Sequence, residues 1–191
     1  MAKFLALLVF LVLAACQPQG ARFHGTDVTG VAWGRELQLA DPEGRVRTLA
    51  EFRGKAVLLF FGFVHCPDVC PTALARAAEA KRLLGADGAR LQVIFVTLDP
   101  ERDSAELLRE YTAAFDPEFL ALRGSAEETR RAAQEFRVFY EKVPTGSSYT
   151  VNHSTTTYVF DPAGRLRLAH SHALGAEQVA ADLRLLLAQR Y

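Results

Sequence analysis

The segment that most constrains the fold is residues 57–73, with the sequence VLLFFGFVHCPDVCPTA. Its first half is an unbroken run of aliphatic and aromatic residues, which is typical of a buried parallel strand. Cys66 and Cys70 follow, and the Ala- and Leu-rich residues 72–84 predict a helix that begins at or between the two cysteines. Free backbone N–H groups and the helix dipole favour thiolate there, so we expect at least one cysteine to have a lowered pKa. The pair is therefore predicted to be reactive or metal-binding.

Composition limits the class of protein to one globular domain with a large core. The chain has 191 residues, of which 50% are apolar and 23% charged. Its formal net charge is zero, so the overall charge indicates no nucleic-acid partner. We also find no feature that predicts a strong oligomer interface, and we expect a monomer.

The N-terminal residues predict a lipoprotein signal. Residues 4–13 are all apolar and follow Lys3, but the run is shorter than the roughly 20 residues that cross a bilayer. The ending Leu-Ala-Ala-Cys resembles the bacterial lipobox, which implies a signal peptide at residues 1–15 and a lipid on Cys16. An ordinary signal peptide or a short anchor is the alternative.

Export follows from this interpretation. Residues 16–30 have Gly, Pro and polar residues without a period and are predicted to be a lipidated anchor and tether, so the folded domain would span residues 31–191. We expect a membrane-anchored lipoprotein that faces the periplasm or another extracytoplasmic space. With Cys16 lipidated, Cys66 and Cys70 are the only remaining pair, and an oxidising compartment would tend to close them into a disulfide.

The rest of the chain predicts alternating strands and helices, from apolar periodicity and from turn and capping residues. The predicted elements are a hairpin at 31–39 and 45–49, a strand at 91–98, a helix capped by Asp103 and Glu106 that ends near 114, a helix capped by Ser125 and Glu128 that ends near 138, a loop at 140–151, a hairpin at 154–160 and 165–170, and a C-terminal helix with Val179, Ala180, Leu183, Leu186 and Leu187 on one face. Asp99 and Asp103 are assigned structural roles.

This order predicts an α/β, thioredoxin-like fold. It has an N-terminal β-hairpin and an extra helix and loop inserted before the C-terminal β-hairpin. Many α/β domains share parts of the order. A dithiol at the end of the first buried strand makes the prediction more specific.

Several motifs resemble those of the Sco/SenC family, copper proteins needed to assemble the dinuclear copper centre of cytochrome c oxidase. The matching segments are DVTG at 27–30, LADPEGRVRTLAEFRGK at 39–55, FGFVHCPDVCPTAL at 61–74, TLDPERDSAELLREYTAAF at 97–115 and HSTTTYVFDPAGRL at 153–166. The resemblance implies one copper ion per chain, bound by Cys66, Cys70 and His153, with Asp68 close by. Asn152 departs from the pattern, because an aspartate often precedes the histidine.

The donor types alone also favour copper. Two thiolates and an imidazole form a soft, low-coordinate set suited to Cu(I), and Cu(II) ranks above its divalent neighbours for the same ligands. Zinc is the competitor, but structural zinc sites usually have four protein ligands and only three are evident here. Since only the reduced dithiol can bind metal, redox state would control loading.

The five histidines are predicted to have different roles. A lone histidine before a strand is usually a surface or internally satisfied residue, but His153 precedes the strand expected beside the first buried strand and can face the cysteines. We interpret His65 as structural, His24 as unrelated to the site, and His170 and His172 as part of a solvated strand face. Asp68 is predicted to influence the thiols or a partner's cation. Simple compensation of the helix dipole is the alternative.

Three functions compete. The first is a metallochaperone that passes copper to the copper-centre subunit of cytochrome c oxidase, with other periplasmic copper carriers or thiol reductants as further partners. The second is a thiol–disulfide oxidoreductase in which Cys66 attacks and Cys70 resolves. The third, a peroxidase, is disfavoured because Pro67 stands where that motif needs threonine. A purely structural disulfide is also disfavoured, because so short a loop constrains the unfolded chain little.

Overall fold

The computed structural model describes residues 22–189. Its strands are β1 Thr26–Asp27, β2 Gln38–Ala40, β3 Val46–Thr48, β4 Ala56–Gly62, β5 Leu91–Thr97, β6 Leu120–Leu122, β7 Tyr140–Thr145, β8 Ser148–His153, β9 Thr157–Phe160 and β10 Leu166–His170. Its α-helices are α1 Val69–Leu83, α2 Ala105–Ala113, α3 Ala126–Glu135 and α4 Ala176–Ala188, with short 3-10 helices at Leu49–Phe52 and Gly85–Arg90.

The centre of the molecule is a six-stranded sheet in the order β1-β10-β9-β4-β5-β6. Strand β4 pairs with β5 in parallel and with β9 in antiparallel, and β5 pairs with β6 in parallel. Every residue of β4 is buried, as expected for a strand covered on both faces. The carboxyl end of β4, where the cysteines follow, therefore lies in the middle of the sheet.

Helices cover both faces of the sheet. Leu58 of β4 borders a small gap together with Ala73 of α1 and Val179 of α4, whereas Phe61, on the opposite face of the strand, packs against Phe136 just after α3. Helices α1 and α4 also contact each other. The predicted alternation of buried strands and covering helices is present, although several elements differ in detail from the prediction.

The start of α2 differs in detail from the prediction. The N-cap is Ser104, whose Oγ accepts a hydrogen bond from the Leu107 backbone N–H, so the predicted capping box of Asp103 and Glu106 is wrong. Asp103 is instead buried, and its carboxylate accepts from the Val64 backbone N–H and the Thr97 hydroxyl. The predicted capping box of Ser125 and Glu128 is present at α3.

The largest correction concerns residues 140–151, which the sequence predicted to be a loop. They form most of an antiparallel hairpin, β7 and β8, with Thr145 paired to Ser148 around Gly146 and Ser147. Strand β6 was also missed, and the N-terminal hairpin is much shorter than predicted.

The folded region begins earlier than predicted. Thr26 and Asp27 pair with β10, so the tether prediction is wrong at its carboxyl end, since it extended to residue 30. The predicted signal peptide and lipidated Cys16 lie outside the described residues. Within residues 22–189, no helix is both long enough and apolar enough to cross a membrane.

Candidate metal centre

The two cysteines flank the junction between β4 and α1. Cys66 is half-buried in the connecting turn, and Cys70 is fully buried in the first turn of α1. The Cys70 backbone N–H donates to Cys66 Sγ over 3.4 Å, so the helix start directs a backbone donor at this sulfur. The two sulfurs are not joined by a disulfide.

His153 is the last residue of β8 and lies beside the cysteines. Its Nε2 atom is 3.8 Å from Cys70 Sγ, and its Nδ1 atom is 2.7 Å from the Ser154 carbonyl oxygen. A carbonyl oxygen only accepts hydrogen bonds, so Nδ1 carries the proton and Nε2 presents its lone pair to the cysteines. This tautomer is the one in which Nε2 can bind a metal.

Aromatic packing fixes the imidazole and the buried sulfur. Phe60 and Phe63 contact the His153 ring edge-on, with centroid distances of 6.2 and 5.9 Å. A Cβ atom on Gly62 would lie 2.8 Å from Cys70 Sγ, so only glycine leaves room for the sulfur at that position. Phe60 and Phe63, near the end of β4, thus pack against the imidazole, and Gly62 between them leaves room for the Cys70 sulfur.

The two thiols share one proton unequally. The hydrogen bond from the Cys70 thiol is the largest effect on Cys66 and, with the backbone N–H groups of Asp68, Val69 and Cys70, lowers the Cys66 pKa to about 5 against the cost of burial. The same hydrogen bond, together with burial, raises the pKa of Cys70 far above the ordinary thiol range. Near neutral pH the pair is therefore a thiolate at Cys66 and a thiol at Cys70.

Sequence reasoning missed one side chain near the cysteines. Burial raises the pKa of Tyr111, and the charges of Cys70 and Cys66 raise it further, so the phenol lies close to the dithiol. Its Oη is buried, and no hydrogen-bond partner is present among the residues described. An aromatic residue on an amphipathic helix is typical of a core position, so the sequence alone did not single it out.

Asp103 was interpreted from the sequence as a capping residue, but it supports the cysteine turn. Its Oδ2 accepts from the Val64 backbone N–H over 3.1 Å and from Thr97 Oγ1 over 2.6 Å. Burial raises the pKa of this carboxyl, and its negative charge in turn raises the pKa of Cys70. His65, which is about half exposed, has Nδ1 3.7 Å from the free Asp103 oxygen.

Other predicted residues have different surroundings. Asp68 is the exposed N-cap residue of α1, and Thr72 Oγ1 donates to its carboxylate over 3.5 Å. Asn152 donates to Glu141 on the outer face of the hairpin, away from His153. Its departure from the family pattern therefore lies on the face of β8 opposite to His153.

The interpretation of His170 as solvated is wrong. It is 2% exposed, and its Nε2 lies 2.9 Å from a carboxylate oxygen of Asp182. His172 is half-buried and contacts Arg76, while His24 is exposed. Within residues 22–189, the only grouping of three or more His, Cys, Asp or Glu side chains placed to hold a metal is Cys66, Cys70 and His153.

The geometry of this trio fits a three-coordinate ion. All three ligand atoms lie within 4.8 Å of one another. Ligands at ordinary metal–sulfur and metal–nitrogen distances, spread in a plane around one ion, are roughly 3.8 Å apart. The Cys70–His153 separation of 3.8 Å already has this value. Two sulfurs and one imidazole nitrogen are a soft donor set, which suits copper.

A model of the SCO1/SenC family matches residues 27–188. The chain belongs to this family. Sco1 of Thermus thermophilus, whose apo form has a solution structure, is 40% identical, with a TM-score of 0.75 over 87% of this chain and 97% of that one. A copper-bound structure of Bradyrhizobium japonicum ScoI is 37% identical, with a TM-score of 0.74 over 81% of this chain and 99% of that one.

Similarity also extends to a mitochondrial SCO1/SenC relative. The mitochondrial SCO2 homolog of Bos taurus is 39% identical over 153 residues, which are 78% of this chain and 58% of the cattle protein. The match therefore covers less than two thirds of that relative. The fold is thioredoxin-like, as predicted from the sequence, and the predicted family is confirmed.

Proposed function

We propose that this protein is a copper metallochaperone that binds one copper ion through Cys66, Cys70 and His153. The observation that carries the proposal is the position of His153 Nε2, 3.8 Å from Cys70 Sγ and freed for a metal by the Nδ1 contact with Ser154. The copper-bound ScoI of Bradyrhizobium japonicum, which has the same fold, supports copper as the ion.

The state of the cysteines suits reversible loading. Cys66 is already a thiolate near neutral pH, and Cys70 must lose its proton when the metal binds. Oxidation to a disulfide would remove both sulfur ligands, so copper is held only by the reduced protein. With three protein ligands, the site is open to a fourth ligand from a recipient, as ligand exchange requires.

The proposed recipient is the copper-centre subunit of cytochrome c oxidase, and periplasmic copper carriers or thiol reductants are proposed as further partners. We also propose that a lipid on Cys16 holds the exported protein at the membrane, and that it acts as a monomer. The zero net charge gives no support for a nucleic-acid partner. The family resemblance of the sequence motifs supports these partners.

The test is an anaerobic Cu(I) titration of the reduced protein against a competing chelator. We expect one tightly bound ion per chain, with affinity reduced at least 10-fold in His153→Ala, as typical when a metal site is disturbed. His24→Ala is the matched control, because it removes an exposed histidine that is not a proposed ligand, and it should bind copper like the wild type. Equal affinity in wild type and His153→Ala would refute the three-ligand site.

A thiol–disulfide oxidoreductase is the second candidate, favoured by the unequal cysteines. The half-exposed Cys66 thiolate can attack a partner disulfide, forming a mixed disulfide and releasing one partner thiolate. Cys70 then loses its proton and attacks Cys66 Sγ, which releases the second partner thiolate and leaves an internal disulfide. The partner gains two electrons and this chain loses two. Rapid reduction of a copper-subunit disulfide by a protein with weak, His153-independent copper binding would favour this role.

Asp68 is proposed to act at the rim of the site. It is exposed beside Cys66, where a carboxylate can meet a cation of the docking partner. Asp68→Asn should then slow copper transfer to the recipient while leaving copper affinity unchanged. Asp87→Asn, an exposed substitution near the other end of α1, is the control. Equal transfer rates for both variants would assign Asp68 to compensation of the helix dipole alone.

A further inference from the structure

Residues 99–103, with the sequence DPERD, lie between β5 and α2, and the sequence assigns Asp99 and Asp103 structural roles. In the fold this segment, here called the bridge turn, contacts both the turn that carries the cysteines and the hairpin that carries His153. These two parts of the proposed metal site are far apart in the chain, since 83 positions separate Cys70 from His153.

One end of the bridge turn holds the cysteine side. Asp103, which is fully buried, accepts a hydrogen bond from the backbone N–H of Val64, two residues before Cys66. It also accepts from the Thr97 hydroxyl. Hydrogen bonds to a buried carboxylate are charge-assisted and about twice as strong as neutral ones, so the cysteine turn is firmly attached at this point.

The other end holds the histidine side through Tyr149. The Arg102 guanidinium lies 3.7 Å above the centre of the Tyr149 ring and donates to the Tyr149 carbonyl oxygen over 2.8 Å. The Tyr149 hydroxyl donates to Asp99 Oδ1 over 2.7 Å, and Arg102 Nε donates to the other oxygen of the same carboxylate. Arg102 and Asp99 thus bind both the backbone and the ring of one residue of β8.

Tyr149 and His153 belong to the same strand and face the same side. Side chains alternate along a strand, so Tyr149, Val151 and His153 all point toward the body of the protein. Val151 is 5% exposed, which agrees with that orientation. Holding Tyr149 therefore sets the depth and angle of a short strand whose other end is the ligand.

A continuous chain of hydrogen bonds joins the two sides. The Tyr149 hydroxyl donates to Asp99, the Asp99 backbone N–H donates to Thr97 Oγ1 over 3.0 Å, the Thr97 hydroxyl donates to Asp103, and Val64 donates to the same Asp103 oxygen. Asp99, Thr97 and Asp103 are all fully buried. Because buried networks of this kind specify one arrangement, the distance between the cysteine turn and β8 is tightly defined.

We propose that Arg102 is a positioning residue for copper binding, which acts with Asp99 by holding β8 so that His153 stays within reach of the cysteines. The proposal rests on the copper site proposed above. Loss of Arg102 removes the contacts with the Tyr149 carbonyl and ring and leaves the hydroxyl bond to Asp99, so Tyr149 is held less firmly and His153 can move away from the sulfurs. Copper is then bound by the two cysteines and only weakly by the His153 imidazole.

The test is a double-mutant cycle on Cu(I) affinity, with wild type, Arg102→Ala, His153→Ala and the double variant. Partners that orient a metal ligand typically contribute 10- to 100-fold in affinity, so we expect a loss of about 10-fold in Arg102→Ala. In the His153→Ala background the same change should alter affinity less than about twofold, since Arg102 acts only through His153. Arg131→Ala, which breaks the exposed pair with Glu127, is the control.

Two further measurements distinguish a local effect of Arg102→Ala on β8 from a general folding defect. Tyr149→Phe removes only the hydroxyl bond to Asp99 and should give a smaller loss of affinity with the same dependence on His153. In the metal-free protein, Arg102→Ala should speed hydrogen exchange at Val143 and Thr150, which form a hydrogen-bonded pair in the ladder of β7 and β8, and leave β4 and β5 unchanged.

The outcomes separate the two proposals. If His153→Ala binds copper like the wild type, the copper site itself is wrong. If His153→Ala weakens binding but Arg102→Ala does not, only the role of Arg102 is refuted. An equal loss from Arg102→Ala in both backgrounds would also refute it, because the residue would then act on the whole fold.

Discussion

His153 Nε2 lies 3.8 Å from Cys70 Sγ, although 83 positions separate the two residues in the chain. The contact exists because β9, which begins at Thr157 soon after His153, pairs with β4, which ends at Gly62 shortly before the cysteines. The proposed metal site is therefore a product of strand pairing at the centre of the sheet. Changes that shift either strand end should act on copper binding as strongly as changes to the ligands.

Gly62→Ala is expected to damage the site through a steric clash. The new Cβ would lie 2.8 Å from Cys70 Sγ and 2.8 Å from Phe95 Cε2, so the sulfur must move. Overpacking of this kind costs about 1–3 kcal/mol of unfolding free energy. Denaturant unfolding and Cu(I) competition should both show the loss. Gly175→Ala, where the nearest atom is 3.4 Å away, is the control, and equal effects of the two substitutions would contradict the prediction.

Alkylation of the reduced, metal-free protein should report the lowered pKa of Cys66. The rate at Cys66 is expected to stay high near neutral pH and to fall only as the pH approaches about 5, where the thiolate gains a proton. Cys70→Ala removes the donor that contributes most to the lowering, so the midpoint should move upward. Cys70→Ser keeps a hydroxyl donor and should move it less. Iodoacetamide labelling followed by mass spectrometry gives both midpoints, and an unchanged midpoint in Cys70→Ala would show that the backbone donors suffice.

The buried His170 should make stability depend on pH. Burial lowers its pKa below the ordinary value of 6.5, against the opposing effect of Asp182, so His170 is uncharged in the folded protein. As the pH falls below 6.5, His170 binds a proton in the unfolded chain more readily than in the folded protein. The contribution of His170 to folding stability is therefore fully present above that pH and is lost below it. His170→Gln should reduce the fall in Tm between pH 7 and pH 5. His24→Gln, an exposed substitution, should leave the fall unchanged, and identical slopes for wild type and His170→Gln would exclude this source.

Asp182→Ala should destabilise the protein and release its N-terminal segment. The buried carboxylate accepts from the backbone N–H groups of His24 and Gly25 and lies within hydrogen-bond distance of His170. Leaving buried donors unpaired costs about 1–3 kcal/mol each. Denaturant unfolding should show that the free energy of unfolding falls by about 2–5 kcal/mol. Hydrogen exchange should become faster at residues 24–27. Asp182→Asn keeps one acceptor oxygen, so its unfolding free energy should lie between those of the wild type and Asp182→Ala. An alanine variant as stable as the asparagine variant would contradict the assignment.

Asn152→Asp, which restores the residue common in the family pattern, is expected to leave Cu(I) affinity within about twofold of the wild type. Asn152 points to the outer face of the hairpin, away from His153, and donates to Glu141. An aspartate there would face a like charge directly across the strand pair and cost a few tenths of a kcal/mol to about 1 kcal/mol. Chelator competition and thermal unfolding test the two parts separately, and a large gain in affinity would show that position 152 acts on the ligand.

Local patterns predicted some elements well and others poorly. The apolar run before the cysteines and the capping box at Ser125 have short-range causes, and both were found in the structure. The hairpin of β7 and β8 was missed because almost all of β7 is exposed and because Pro144 and Gly146 favour a loop interpretation. Its inner face is held by Arg102, more than 40 positions earlier in the chain, and no local pattern records that contact.

The sequence by itself determined the cysteine pair at a strand-to-helix junction, the order of the helices and of the two buried parallel strands, the family and the three candidate copper ligands. It did so because spacing, periodicity and motif residues are local properties of the chain. Only the tertiary structure decided that His153 uses Nε2, that Cys66 and not Cys70 is the thiolate, that His170 is buried, and that the bridge turn joins both sides of the site. Those facts depend on burial and on hydrogen bonds between residues far apart in the chain, which arise only once the sheet has assembled.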